Sequence, residues 1–109
     1  MDIRRLSDGL SVAGQITTAN IPAIREAGFR AVICNRPDGE EPGQPTFAEI
    51  EVVAKAAGLA ARYIPVVSGA AMDGAVMTFN EAMREVPGPV LAYCRSGARS
   101  AALWSATGA

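Results

Sequence analysis

Cys94, Arg95, Ser96, Gly97, Ala98, Arg99 and Ser100 stand together in one short stretch, and their side-chain types suit a sulfur nucleophile. Val90 to Tyr93 just ahead is an apolar run of strand length and an Ala-rich segment follows, so the cysteine falls at a strand–loop–helix junction. Backbone N–H groups at such a junction face the positive end of the helix dipole and form a seat for an anion. The same groups, with Arg95 and Arg99 beside them, stabilise a thiolate and lower the thiol pKa. Cys94 is therefore the candidate nucleophile and Arg99 its catalytic cation. Arg95, Ser96, Gly97, Ala98, Arg99 and Ser100 form the candidate anion-binding loop. The plainer alternative is a small core cysteine flanked by solvated arginines, because free cysteine is usually buried and inert. The glycine three residues on, the arginine five on, and hydrogen-bonding serines at 96 and 100 favour the nucleophile loop.

The chain contains no histidine. This excludes Cys-His and Ser-His-Asp machinery and the usual zinc sites, so a thiolate has to be made by backbone dipoles, hydroxyls and arginine. Cys34 and Cys94 show neither Cys-x-x-Cys nor metal-ligand spacing. No metal and no cofactor are expected, and no structural disulfide in a reducing compartment.

With 109 residues, half of them apolar, the chain suits a single domain over 1–109 with its own core. Ten basic against eleven acidic residues leave a net charge of −1, which implies no overall pull toward nucleic acid or a membrane surface. No apolar run approaches the ~20 residues of a membrane span, and Met1 to Leu6 lacks the apolar centre of a signal peptide. The expected compartment is the cytoplasm.

These residues must be held by elements whose signals alternate along the chain. Leu10 to Gly14 reads as a short strand, and Ile21 to Ala27 as a helix with Pro22 in its first turn and Gly28 as its stop. Ala31 to Asn35 is a continuous apolar run suited to a strand covered on both faces. Residues 36–45, with three prolines and two glycines, form a long loop that is either functional or a solvated acidic connection. Thr46 with Glu49 is a capping-box pattern opening a helix that Gly58 stops. Tyr63 to Val67 is a third strand, with Pro65 suggesting an edge or an end. Asp73 is the expected N-cap of a helix from Gly74 to about Glu85, whose stripe of Val76, Phe79, Met83 and Val86 belongs to the core. Pro87-Gly88-Pro89 then leads into the Val90 strand. Four strand–helix pairs predict an α/β fold with a mainly parallel central sheet flanked by helices, its ligands beyond the carboxyl ends of the strands. The loops 36–45, 68–73 and 94–99 should gather there.

Taken together, Asn35-Arg36-Pro37-Asp38-Gly39-Glu40, Tyr63-Ile64-Pro65-Val66 and Tyr93 to Ser100 resemble the beta-lactamase-hydrolase-like, phosphatase-like family, from Leu10 to Trp104. The resemblance implies a fold similar to cysteine-dependent dual-specificity phosphatases, and a metallo-beta-lactamase-type hydrolase as a partner of some members. Two departures stand out. Cysteine phosphatases carry five residues between cysteine and arginine, after a histidine; here four separate Cys94 from Arg99, and Tyr93 replaces the histidine. The string Cys94 to Ser100 resembles instead the six-residue active loop of rhodanese sulfurtransferases, whose cysteine carries a persulfide. A phosphatase also needs a proton donor for its leaving oxygen, worth about 10²–10⁴ in rate. Where the resemblance would place it, this chain has Ser68 and Gly69. Asp73 and Asp38 are the remaining candidates, each with a simpler role as helix cap or turn residue.

Three functions follow as expectations. The first is a phosphatase-like hydrolase in which Cys94 attacks phosphorus of a small anionic or phosphorylated substrate, forming a cysteinyl-phosphate. The second is a sulfurtransferase passing sulfane sulfur to a thiol such as glutathione, which needs no general acid. The third is a module that binds an anion or a partner and turns nothing over.

Overall fold

The computed structural model describes residues 1–69 and 72–108. Five strands form one sheet: β1 (Arg4–Ser7), β2 (Leu10–Ala13), β3 (Ala31–Cys34), β4 (Ala60–Tyr63) and β5 (Val90–Tyr93), in the order β1-β2-β5-β3-β4. The helices are α1 (Ile21–Glu26), α2 (Phe47–Ala56), α3 (Asp73–Glu85) and α4 (Ala98–Ala106).

β2, β5, β3 and β4 run parallel, and the apolar runs expected to be central are so: β2, β3 and β5 are buried at every position. Alternate side chains feed two layers. Ala31, Ile33, Val90 and Ala92 pack with Phe79 and Ala82 of α3, Val86 just past its end, and Leu103 of α4. Val32, Cys34, Leu91 and Tyr93 pack with Ile21 and Ile24 of α1 and Ile50 and Ala54 of α2. Burying both faces in this way supplies most of the driving force for the fold, at ~25 cal/mol per Å² of apolar surface.

Three expectations are corrected. Ahead of the first expected strand at Leu10 lies another: β1 pairs antiparallel with β2, which makes the sheet mixed. Its Arg4 and Arg5 are exposed, as suits an edge strand that carries charge against further pairing. The third strand is Ala60–Tyr63, not Tyr63 to Val67, because pairing with β3 begins at Ala60. The expected run continues from it as extended chain, with Ile64 N–H donating to the Cys34 carbonyl at 2.8 Å and Val66 N–H to Asn35 at 2.9 Å. Asp73 is the first residue of α3 and not its cap; Met72 holds that place, and no side chain caps the helix.

For function, the decisive feature is register. Ala13 pairs with Tyr93, Tyr93 with Cys34, and Cys34 with Tyr63. Four parallel strands thus end in one row, and the chain segments that follow them emerge side by side.

Candidate active site

Cys94 is the first residue past β5, and the ends of its neighbouring strands fix it. Its N–H donates to the Ala13 carbonyl at 3.3 Å, and Asn35 N–H donates to Tyr93 at 2.8 Å. Gln15 N–H reaches the Arg95 carbonyl at 3.3 Å. Two glycines allow this closeness. A β-carbon on Gly14 would stand 2.9 Å from the Arg95 carbonyl oxygen. Gly97, at φ +93°, turns the chain into α4 in the left-handed conformation that side chains disfavour.

The turn wraps amides around sulfur. Gly97 N–H donates to Cys94 Sγ at 3.1 Å, and the backbone N–H groups of Ser100, Ser96 and Arg99 add to the stabilisation of its anionic form. Burial is the largest single influence on this thiol and pushes its pKa up. The four amides together outweigh burial and bring it below its ordinary value. The influences that lower it come from backbone N–H groups, while the loop's hydroxyls are engaged elsewhere. Ser100 Oγ donates to Asn35 Oδ1 at 2.8 Å, and Ser96 Oγ accepts the Ala98 N–H at 3.4 Å. Ala98 thus turns its amide to Ser96.

Arg99 stands on the same turn as Cys94 and lines the cleft over it, and the nearby sulfur favours its charged form. Its guanidinium is held by Glu40, with Nη1 to Oε2 and Nη2 to Oε1 both at 2.8 Å, and Nη1 also donates to the Val66 carbonyl at 2.8 Å. Arg36, 2% exposed, lies behind. Its Nε donates to Glu40 Oε1 at 2.9 Å, Nη1 to Gln15 Oε1 at 3.2 Å and Nη2 to Glu41 Oε1 at 3.0 Å. Hydrogen bonding from Arg99 holds the Glu40 carboxyl down at about 2; burial opposes this, and the Arg36 bond adds to it.

Arg36, Glu40, Glu41, Ser68, Arg95 and Arg99 line a cleft of about 280 Å³ over the loop. Arg36, Glu40 and Glu41 belong to it without having been named as site residues from the sequence, Arg36 and Glu40 having figured only in the family resemblance. The signal was an arginine immediately after a buried strand with glutamates four and five residues on, within a stretch that also reads as solvated connection.

The two candidate acids do not join the lining. Asp38 Oδ1 accepts the Phe47 N–H at 2.8 Å and its own N–H donates to the Tyr63 hydroxyl at 3.0 Å, so it ties the loop to the start of α2. The stacked Phe47 and Tyr63 rings, 5.0 Å between centroids, close that corner. Asp73 is exposed at the start of α3, and positions 70 and 71 of the expected 68–73 loop lie outside the described residues. Tyr93, which stands where a phosphatase histidine would, points into the layer with Cys34 and Leu91, one pleat away from Cys94. Burial raises its hydroxyl pKa, with Cys34 adding to the effect, so it supplies no imidazole-like proton transfer.

The chain matches the family model for the phosphatase-like domain of beta-lactamase hydrolase-like proteins over residues 2–109. It belongs to this family. A beta-lactamase hydrolase-like protein from Agrobacterium fabrum is 38% identical over 100 residues, covering 92% of this chain but 23% of that protein. The chain thus spans about a quarter of the length of such curated relatives. A crystal structure of a candidate phosphatase from Neisseria meningitidis superposes with a TM-score of 0.88 at 38% identity, covering 95% of this chain and 74% of that one. Tk-PTP in its active form shares the fold at a TM-score of 0.62 and 17% identity, over 87% of this chain and 63% of its own. The domain is phosphatase-like in family and in fold, a similarity of architecture that leaves the reaction to be argued from the site.

Proposed function

We propose that this phosphatase-like domain is a cysteine-dependent enzyme that carries sulfane sulfur on Cys94. The observation that supports this reading is the placement of the acids. The carboxylates lining the cleft over the loop are Glu40, ionised and gripped by two arginines, and Glu41, bonded to Arg36. Asp38 is engaged at the start of α2. A phosphate monoester with an alkoxide leaving group needs a proton donor at this place, whereas sulfur transfer needs none.

The steps balance without protons. The Cys94 thiolate attacks the outer sulfur of thiosulfate; the S–S bond to the sulfonate breaks, sulfite leaves with the electron pair, and an enzyme persulfide anion remains. An acceptor thiolate, for which glutathione is one chemical type, attacks the terminal sulfur and releases the Cys94 thiolate. The amides of 96, 97, 99 and 100 that hold the sulfur anion serve both half-reactions, an electrostatic preorganisation of the oxyanion-hole kind.

A second reading is phosphoryl transfer through a cysteinyl-phosphate, favoured by the family and by the guanidinium beside the thiolate. With Glu40 ionised, it is confined to substrates whose leaving group departs unprotonated, such as aryl phosphates. A fused or associated metallo-beta-lactamase-type hydrolase, consistent with the greater length of the relatives, would receive or supply the transferred group.

A paired assay tests the proposal: thiosulfate with cyanide, and an aryl phosphate, on the native protein and on Cys94→Ser. Thiocyanate formation that Cys94→Ser abolishes is expected. Aryl phosphate hydrolysis without thiocyanate formation overturns sulfur transfer in favour of phosphoryl transfer. Neither activity leaves an anion- or partner-binding module.

A further inference from the structure

We propose that Glu40 is a positioning residue for Arg99, gripping one edge of the guanidinium so that its other edge stays aimed at the group on Cys94. The inference rests on Cys94 being the nucleophile, and it follows from counting donors. A guanidinium has five N–H groups in a rigid plane. Glu40 takes one from Nη1 and one from Nη2, and the Val66 carbonyl takes another from Nη1. What remains is Nε–H and the second Nη2–H, the parallel fork that matches two oxygens of a phosphate, sulfonate or carboxylate. Arg99 stands on the turn that wraps Cys94 and lines the cleft over it, so an anionic group being attacked by the sulfur meets that fork.

Glu40 is itself anchored. Its Oε1 is shared with Nε of the buried Arg36, and Arg36 is fixed in turn by Gln15 and Glu41. Gln15 completes the frame, since its N–H holds the Arg95 carbonyl of the nucleophile loop. The Val66 bond alone would leave the guanidinium free to swing about a single contact. The two-point contact with Glu40, 59 residues away in sequence, sets its plane.

Generic electrostatics and positioning predict opposite outcomes. Removing a carboxylate from the cleft makes it more attractive to anions; removing the clamp on Arg99 makes it worse at docking one. Alkylation of Cys94 separates them, because iodoacetate carries a carboxylate for the fork and iodoacetamide does not. On a Cys34→Ser background, Glu40→Gln should lower the ratio of iodoacetate to iodoacetamide rates about tenfold, in the range of misplacement effects. In an Arg99→Lys protein, which has no fork to aim, the same substitution should leave that ratio unchanged. If Glu40→Gln does not fold, Glu40→Asp keeps the charge, withdraws the carboxylate by one methylene and should also lower the ratio. A ratio that holds or rises in the Arg99 protein, or falls equally in Arg99→Lys, overturns the inference. The iodoacetamide rate separately reports the thiolate: if slow at neutral pH, it removes Cys94 as nucleophile and not Glu40 as clamp.

Discussion

Gly14 faces the Arg95 carbonyl so closely that a β-carbon would stand 2.9 Å from its oxygen. The end of β2 is thus the floor on which the 94–100 loop rests, and the neighbour is backbone, which cannot swing aside as a flexible side chain does. Gly14→Ala is expected to push the loop outward, costing about 1–3 kcal/mol as overpacking does and lowering the transfer rate at least tenfold. Urea unfolding and the thiosulfate assay check the two effects. A native rate in this variant would mean that the loop is not set by β2.

Ser100 and Asn35 separate structure from chemistry. The Ser100 hydroxyl serves Asn35, while the Ser100 amide serves Cys94. Ser100→Ala leaves Asn35 Oδ1 buried without that donor and should destabilise the fold by about 1–3 kcal/mol. The amide is untouched, so the pH dependence of Cys94 alkylation should hardly move. A substantial upward shift would show that the hydroxyl, not the amide, makes the thiolate.

Glu40 predicts an acid limit. Its folded pKa is depressed to about 2, so on acidification the unfolded chain takes up the proton first. Its stabilising contribution is complete above the ordinary carboxylate range and is lost as pH falls from there toward 2. Unfolding free energy measured by denaturant across that window should decline, and Glu40→Gln should flatten the decline. An unchanged slope in the variant would place the acid sensitivity elsewhere.

The two cysteines should differ sharply. Cys34 lies in the layer with Tyr93, its Sγ donating to the Arg36 carbonyl at 3.2 Å, and burial raises its pKa against the hydrogen bonds that lower it. Cys34→Ser is expected to retain most activity and Cys94→Ser none. Loss of activity in a folded Cys34→Ser protein would bring the second sulfur into the mechanism.

The turn from Cys94 to Ser100 was legible from sequence because a buried strand, a glycine at a forced turn and an Ala-rich helix leave Cys94 few places to go. β3 and β5 announced themselves as uninterrupted apolar runs, and Thr46 does cap α2, accepting the Glu49 N–H. β1 was hidden because Arg4 and Arg5 on an edge strand carry no apolar alternation. β4 was displaced because Ala60-Ala61-Arg62 has little strand propensity, and its state is imposed by pairing with β3. Glu40 escaped because its role depends on meeting Arg99 across the sheet edge, and Arg36 because it is held by Gln15 as well as by its local glutamates, long-range contacts that local composition does not encode. Asp38 and Asp73 were proposed from distance along the chain, and the structure engages the first at the start of α2 and exposes the second.

The account depends most on the ionisation of one sulfur. In Cys34→Ser protein, the rate of Cys94 alkylation by iodoacetamide is followed against pH by mass spectrometry. The converging amides predict a midpoint below the value of about 8.5 for free cysteine. A midpoint at or above that value would contradict the thiolate seat and, with it, every reading in which Cys94 attacks.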